Sequence, residues 1–133
     1  MNKQKYIIKL LFECGAGCLW GMNDAALRDF DVGPLDLEDY CPLPLSPELL
    51  RRCREMDEWH HTSLNWEYPP DPGPWRQPEC DRFNAETERL LADIRAELGP
   101  DFEVIDRVIR AEEDPDLDRY LVDHPKAFRR DQP

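Results

Sequence analysis

Four prolines stand at 69, 70, 72 and 74 within the stretch NWEYPPDPGPW (65–75). A proline has no backbone N–H to give, and its ring clashes with the preceding turn of a helix, so no helix and no central strand can run through this stretch. The chain must turn here, and the regular elements on either side are separate. Both flanks carry helical periodicity. In SPELLRRCREMDEWHH (46–61), Ser46 is a good N-cap and Pro47 sits where a missing N–H costs nothing. Leu49, Cys53, Met56 and Trp59 or His60 fall on one face, leaving Arg51, Arg52, Glu55 and Glu58 for water. After the prolines a second long helix is predicted from about Pro78 to Leu98, with Phe83, Thr87, Leu90, Leu91, Ile94 and Leu98 as its inward stripe. Gly99 caps it and Pro100 stops it.

Strand signals lie outside this helical pair. KYIIKLLFE (5–13) alternates, with Tyr6, Ile8, Leu10 and Phe12 on one wholly apolar face, as a half-buried strand does. CGAGCLWG (14–21) reads as a turn, and NDAALRDF (23–30) as a short helix capped by Asn23 or Asp24. Residues 31–44 read as an irregular surface segment, DFEVIDRVI (101–109) as a second strand, and PDLDRYLVDHP (115–125) as one or two helical turns. Two strands do not stand alone in water, so helices must cover one face. The expectation is an α+β fold in β-α-α-β order, with two long helices and a short one on a small sheet. Residues 1–110 form the single domain and 111–133 a polar, partly disordered extension. Open sheet edges offer pairing to a second copy, so a homodimer is one expected assembly.

Charge narrows the partners. The formal net charge is −12, which repels phosphate backbones and argues against nucleic acid. A basic protein partner suits it; simple solubility is the alternative reading. The longest apolar run, YIIKLLF (6–12), is far short of the roughly 20 residues of a membrane span, so no membrane contact is expected. It also lacks the features of a secretory signal, which points to the cytoplasm. Five cysteines at irregular spacings (Cys14, Cys18, Cys41, Cys53, Cys80) read as free thiols.

Each candidate site has a plain alternative. His60 and His61 are adjacent, so on a helix they diverge by about 100° and cannot easily clasp one metal; no metal and no cofactor is expected. CGAGC (14–18) has neither redox C-x-x-C spacing nor the Lys and Ser/Thr of a phosphate loop. Cys14 or Cys18 activated by His60 or His61 would make a small enzyme, although no spacing signal joins them. The segment DFDVGPLDLEDYC (29–41) interleaves carboxylates with apolar residues. Acids steer a basic partner and an aromatic anchors it, so Asp31, Asp36, Glu38, Asp39 and Tyr40 are the expected partner-binding residues. The alternative is a surface loop pinned to its own core. The tryptophans of the proline stretch read as a packed corner between the long helices, with Trp59 and Trp66 mostly buried and Trp66→Ala costing about 3–5 kcal/mol. A rigid aromatic recognition surface is the other reading.

IIKLLFECGAGCLW (7–20), LPLSPELLRRC (43–53), EWHHTSLNWEYPPDPGPW (58–75) and IRAELGPDFEV (94–104) together resemble a family of short, mostly uncharacterised bacterial proteins. The shared features are the LPLS helix start, the NW-x-x-PPDPGPW loop and the ELGP-x-x-x-V end. The resemblance covers most of residues 7–104 and supports the domain boundary; it carries no catalytic residues. In size and charge the chain is also similar to the small acidic immunity proteins of bacteria, which bind and silence a cognate toxin. The expected function is therefore a non-enzymatic binding module, an immunity-type inhibitor of a basic toxin domain. The Cys/His enzyme and an adaptor or homodimeric structural protein are the alternatives.

Overall fold

The computed structural model describes residues 6–13, 17–30 and 43–128. Its elements in chain order are β1 (Tyr6–Glu13), β2 (Gly17–Gly21), α1 (Asp24–Phe30), α2 (Pro47–His61), α3 (Gln77–Leu98), β3 (Phe102–Asp106) and α4 (Leu117–Asp123). The fold is α+β, as the patterning implies, with a three-stranded mixed sheet in the order β2-β1-β3. The apolar strand β1 takes the centre. It pairs antiparallel with β2 (Leu10 opposite Leu19) and parallel with β3 (Ile8 opposite Val104).

The β-α-α-β order needs one correction: residues 17–21 form strand β2 rather than completing a turn. Helix α4 after β3 is the one or two helical turns expected within 115–125. β2 is short and has a glycine at each end, so glycine content hides it, yet Leu19 shares a fully buried layer with Ile8 and Leu10. β1 and β2 are antiparallel neighbours, which a short connection can join, whereas the parallel partner β3 needs a crossover.

Local chemistry fixes the helices. Asn23 Oδ1 accepts from the Ala26 N–H (3.0 Å), capping α1, and from the Ile7 N–H (3.2 Å), tying that helix to β1. Ser46 Oγ accepts from the Leu49 N–H, and Glu97 near the end of α3 accepts from both Ser46 N–H (2.7 Å) and Ser46 Oγ–H (2.9 Å). Together with the Arg52–Asp93 pair at 2.6 Å, this sets α2 and α3 antiparallel. Gly99 closes α3 with φ 79°, a left-handed conformation that suits glycine.

The core lies where α2 and α3 meet the sheet. Phe83 is fully buried, with ring centres of Phe12, Trp59 and Trp75 at 5.5, 5.1 and 5.1 Å. Edge-on and tilted rings at such distances are favourable beyond their area.

Beyond β3, Arg110 bonds Asp106 (2.7 Å from Nη2 to Oδ2) and also reaches Glu88 on α3. The hydrogen bond from Arg110 is the main reason the Asp106 carboxyl sits below the usual carboxylate range, with burial opposing it. A carboxyl whose folded pKa is depressed adds stability above its unfolded pKa, and that stability disappears as pH falls through the folded value. The two side chains are 30% and 32% exposed, so solvent screening limits the contribution to about 1 kcal/mol or less. Asp106→Asn is expected to lower urea stability slightly at neutral pH and not at the acid end. Parallel pH profiles for the two proteins would contradict this.

Candidate functional site: the proline-loop cleft

Helix α2 ends in a pair of hydroxyl caps. Thr62 Oγ1 donates to the Trp59 carbonyl (2.7 Å) and Ser63 Oγ to that of His60 (2.6 Å). Each carbonyl also accepts from a backbone N–H, that of Thr62 and of Ser63 respectively (both 2.9 Å), so the hydroxyls add a second bond at the helix end. Thr62 Oγ1 also accepts the indole N–H of Trp75 (3.0 Å), which fastens the far end of the proline loop to its start.

Asn65 organises what lies between. It is 2% exposed. Its Oδ1 accepts from the backbone N–H groups of Glu67 (3.1 Å) and Tyr68 (3.2 Å), while Nδ2 donates to the Pro72 carbonyl (3.2 Å) and to Tyr120 Oη (3.0 Å). One side chain thus folds the loop on itself and holds α4 against it. Gly73 allows the closure, because a Cβ there would stand 1.9 Å from the Ser63 carbonyl oxygen.

The polar stretch after β3 is bound along α3. Asn84 exchanges two hydrogen bonds with the Ala111 backbone (3.0 and 2.8 Å), and Gln77 and Glu113 exchange two more (2.8 and 3.1 Å). Arg76 pairs with Asp118 at 2.7 Å and Glu113 at 3.3 Å. Leu117 is 1% exposed, an apolar peg at the start of α4. Between α4 and the proline loop lies a cleft of about 460 Å³, walled by Trp66, Trp75, Tyr120 and Phe128, with Glu67 and Glu79 in its lining.

The tryptophans divide differently from the packed-corner expectation. Trp75 is buried at 5% exposure, and Trp59 packs against the core with its N–H on Glu79 (2.9 Å). Trp66 is half exposed, stacked on His61 at 4.3 Å, its N–H donated to the His61 carbonyl (2.8 Å). The buried place beside it belongs to Asn65, whose four hydrogen bonds the loop needs inside. Truncating Trp66 therefore cannot carry the cost of a core aromatic, and the corner is both packed and an aromatic surface.

The histidines part company: His60, half-buried, stacks on Phe12 (5.7 Å) at the edge of the core, and His61 turns outward to Trp66. Among the described residues no group of three or more His, Cys, Asp or Glu could hold a metal ion. Cys18 is fully buried, where a nucleophile meets no substrate, and Cys14 lies outside the described residues. Cys53 and Cys80 are buried free thiols, and burial pushes the Cys80 thiol up, away from the thiolate. Asp31, Asp36, Glu38, Asp39 and Tyr40 also lie outside the described residues. The ends of their segment are fixed: Phe30 packs on Tyr6 (4.7 Å) and Phe102 (5.5 Å), and Leu43 is buried. Sequence reasoning missed Asn65, Gly73 and Tyr120. The loop's N-W dipeptide before the prolines was the available signal for the first.

Among the described residues no helix is long and apolar enough to cross a membrane. A family model described as Serratia CdiI immunity protein-like matches residues 6–106, from the first residue of β1 to the last of β3. No curated protein matches the chain.

Proposed function

The chain belongs to the CdiI immunity protein family, non-enzymatic inhibitors of contact-dependent inhibition toxins, and from that premise we propose that its partner is a basic toxin domain of a cognate CdiA protein. The observation that carries this is the family match across the whole sheet and all three helices between its strands. The net charge of −12 supports a basic partner and opposes a nucleic-acid one. Occlusion of the toxin's active face requires no chemistry from the inhibitor, which agrees with the burial of Cys18. The reading places the encounter in the cytoplasm.

In this proposal residues 31–40 meet the toxin. Asp31, Asp36, Glu38 and Asp39 steer the encounter, and Tyr40 supplies a desolvated anchor. Pairing of a second copy along a sheet edge is a lesser part of the proposal. Arg95 already donates to the outward Val104 carbonyl of β3 (2.7 Å from Nη2), which blunts that edge.

Stopped-flow association with the purified cognate CdiA toxin domain tests the segment. Neutralising Asp36, Glu38 and Asp39 together should lower the on-rate and flatten its salt dependence. Tyr40→Ala should chiefly raise the off-rate, by about 1–4 kcal/mol in binding free energy if it is a hot spot. Toxin binding with unchanged kinetics in both variants would remove this segment from the interface.

A further inference from the structure

We propose that the proline-loop cleft is a second contact with the toxin and takes one lysine or arginine side chain from it. The inference rests on the immunity reading above and adds a place and a chemistry to it. A volume of about 460 Å³ holds one long side chain with its flanking atoms. Trp66, Trp75, Tyr120 and Phe128 line it, and the ring faces of Trp and Tyr attract a cation lying over them. The lining carboxylates Glu67 and Glu79 have no ion pair among the described residues, and Glu79 accepts only the Trp59 N–H there. Lys126, the cation in the lining, is exposed and makes no ion pair among the described residues; two carboxylates against one ammonium leave the lining with a formal charge of −1. On a chain of charge −12, an aromatic cleft with two unpaired carboxylates is complementary to a positive side chain.

The cleft is also built in advance. Asn65, the prolines and the Trp75–Thr62 bond hold the loop, and Trp66 is fixed by its stack and its N–H. Little conformational freedom is left to lose on binding. Tyr120, Lys126 and Phe128 lie beyond residue 106, outside the family-matched residues.

Titrating the purified cognate CdiA toxin domain into the wild-type protein and four variants tests the proposal. Trp66→Ala opens one wall, Ala127→Trp fills the cleft without deleting a native hydrogen bond, Glu67→Lys reverses its charge, and Glu103→Lys makes the same reversal outside it. The expected result is an about tenfold or greater rise in Kd for Trp66→Ala and Ala127→Trp, mostly from the off-rate, with Tm held close to wild type. Glu67→Lys should weaken binding several-fold more than Glu103→Lys. If Trp66→Ala and Ala127→Trp bind like wild type, the cleft is not a contact. If those two weaken but the two charge reversals act alike, the occupant is not a cation and the proposal also falls. A wild-type protein that does not bind the toxin overturns the immunity reading itself, a result separable from either.

Discussion

Phe83→Ala is expected to lower folding stability by about 3–5 kcal/mol, read as a shift of the urea midpoint with unchanged slope. The ring has no exposed surface and stands where α2, α3, β1 and the proline loop converge, through Trp59, Phe12 and Trp75. Its removal leaves a cavity walled by three other rings, two of which are tied by hydrogen bonds. The Trp59 indole is fixed on Glu79 and the Trp75 indole on Thr62, so neither can collapse into the space without giving up a hydrogen bond. This places the cost toward the upper part of the range. Phe83→Leu, which keeps most of the volume, should cost markedly less. Equal losses for the two would mean that the site relaxes freely and that the rings are not held.

Asn65→Ala is the second large expected effect, about 2–4 kcal/mol, and its mechanism differs. The substitution leaves the Glu67 and Tyr68 N–H groups, the Pro72 carbonyl and the Tyr120 hydroxyl without the side chain that now satisfies them. Water reaches some of these on the loop surface, which keeps the loss below a simple sum. Amide hydrogen exchange should accelerate at Glu67 and Tyr68 in particular, while amides in the middle of α3 slow or quicken only with global stability. Asn65→Asp retains both acceptor bonds but loses the donations to Pro72 and Tyr120. Only the second can be replaced, by the Tyr120 hydroxyl donating instead, so this variant should fall between wild type and Asn65→Ala. A variant as stable as wild type, with unaltered exchange at the loop, would show that the prolines alone hold this turn.

The long helices were legible because their limits are set by neighbours in sequence. Ser46 and Pro47 begin one, Gly99 and Pro100 end the other, and the apolar stripes between them match the buried residues Leu49, Cys53, Met56, Phe83, Thr87, Leu90, Leu91, Ile94 and Leu98. Strand β2 was not legible. Three residues between glycines carry too little alternation to register, and what makes them a strand is the edge of β1, which sequence proximity does not announce. The proline loop was readable as a corner, but not which indole would be inside. That depends on Thr62 and His61 accepting different N–H groups and on Asn65 claiming the interior, contacts that composition cannot rank. α4 was seen only as a turn or two, since one apolar peg, Leu117, the Tyr120 hydroxyl and the Arg76–Asp118 ion pair attach an otherwise polar stretch. The family model matches the scaffold that was legible and stops short of this last part.

The parallel pairing of β1 with β3 has a consequence for biosynthesis. Tyr6 lies opposite Phe102 and Leu10 opposite Asp106, so the strand that leaves the ribosome first gains its second neighbour only after α1, α2, the proline loop and α3 have been made. Until then a nascent chain can hold the β1–β2 pair, but a two-stranded ribbon is at best marginally stable in water. Contacts of such long sequence separation also close slowly, because the loop entropy is lost before the strands pair. Arrest-peptide force measurements along the chain should therefore show the main folding event only once residue 106 has cleared the ribosomal exit tunnel, with little signal for lengths ending inside α3. An inhibitor assembled this way offers no protection from partial products: a cell replacing it after loss waits for translation through β3 before any new molecule can shield its toxin.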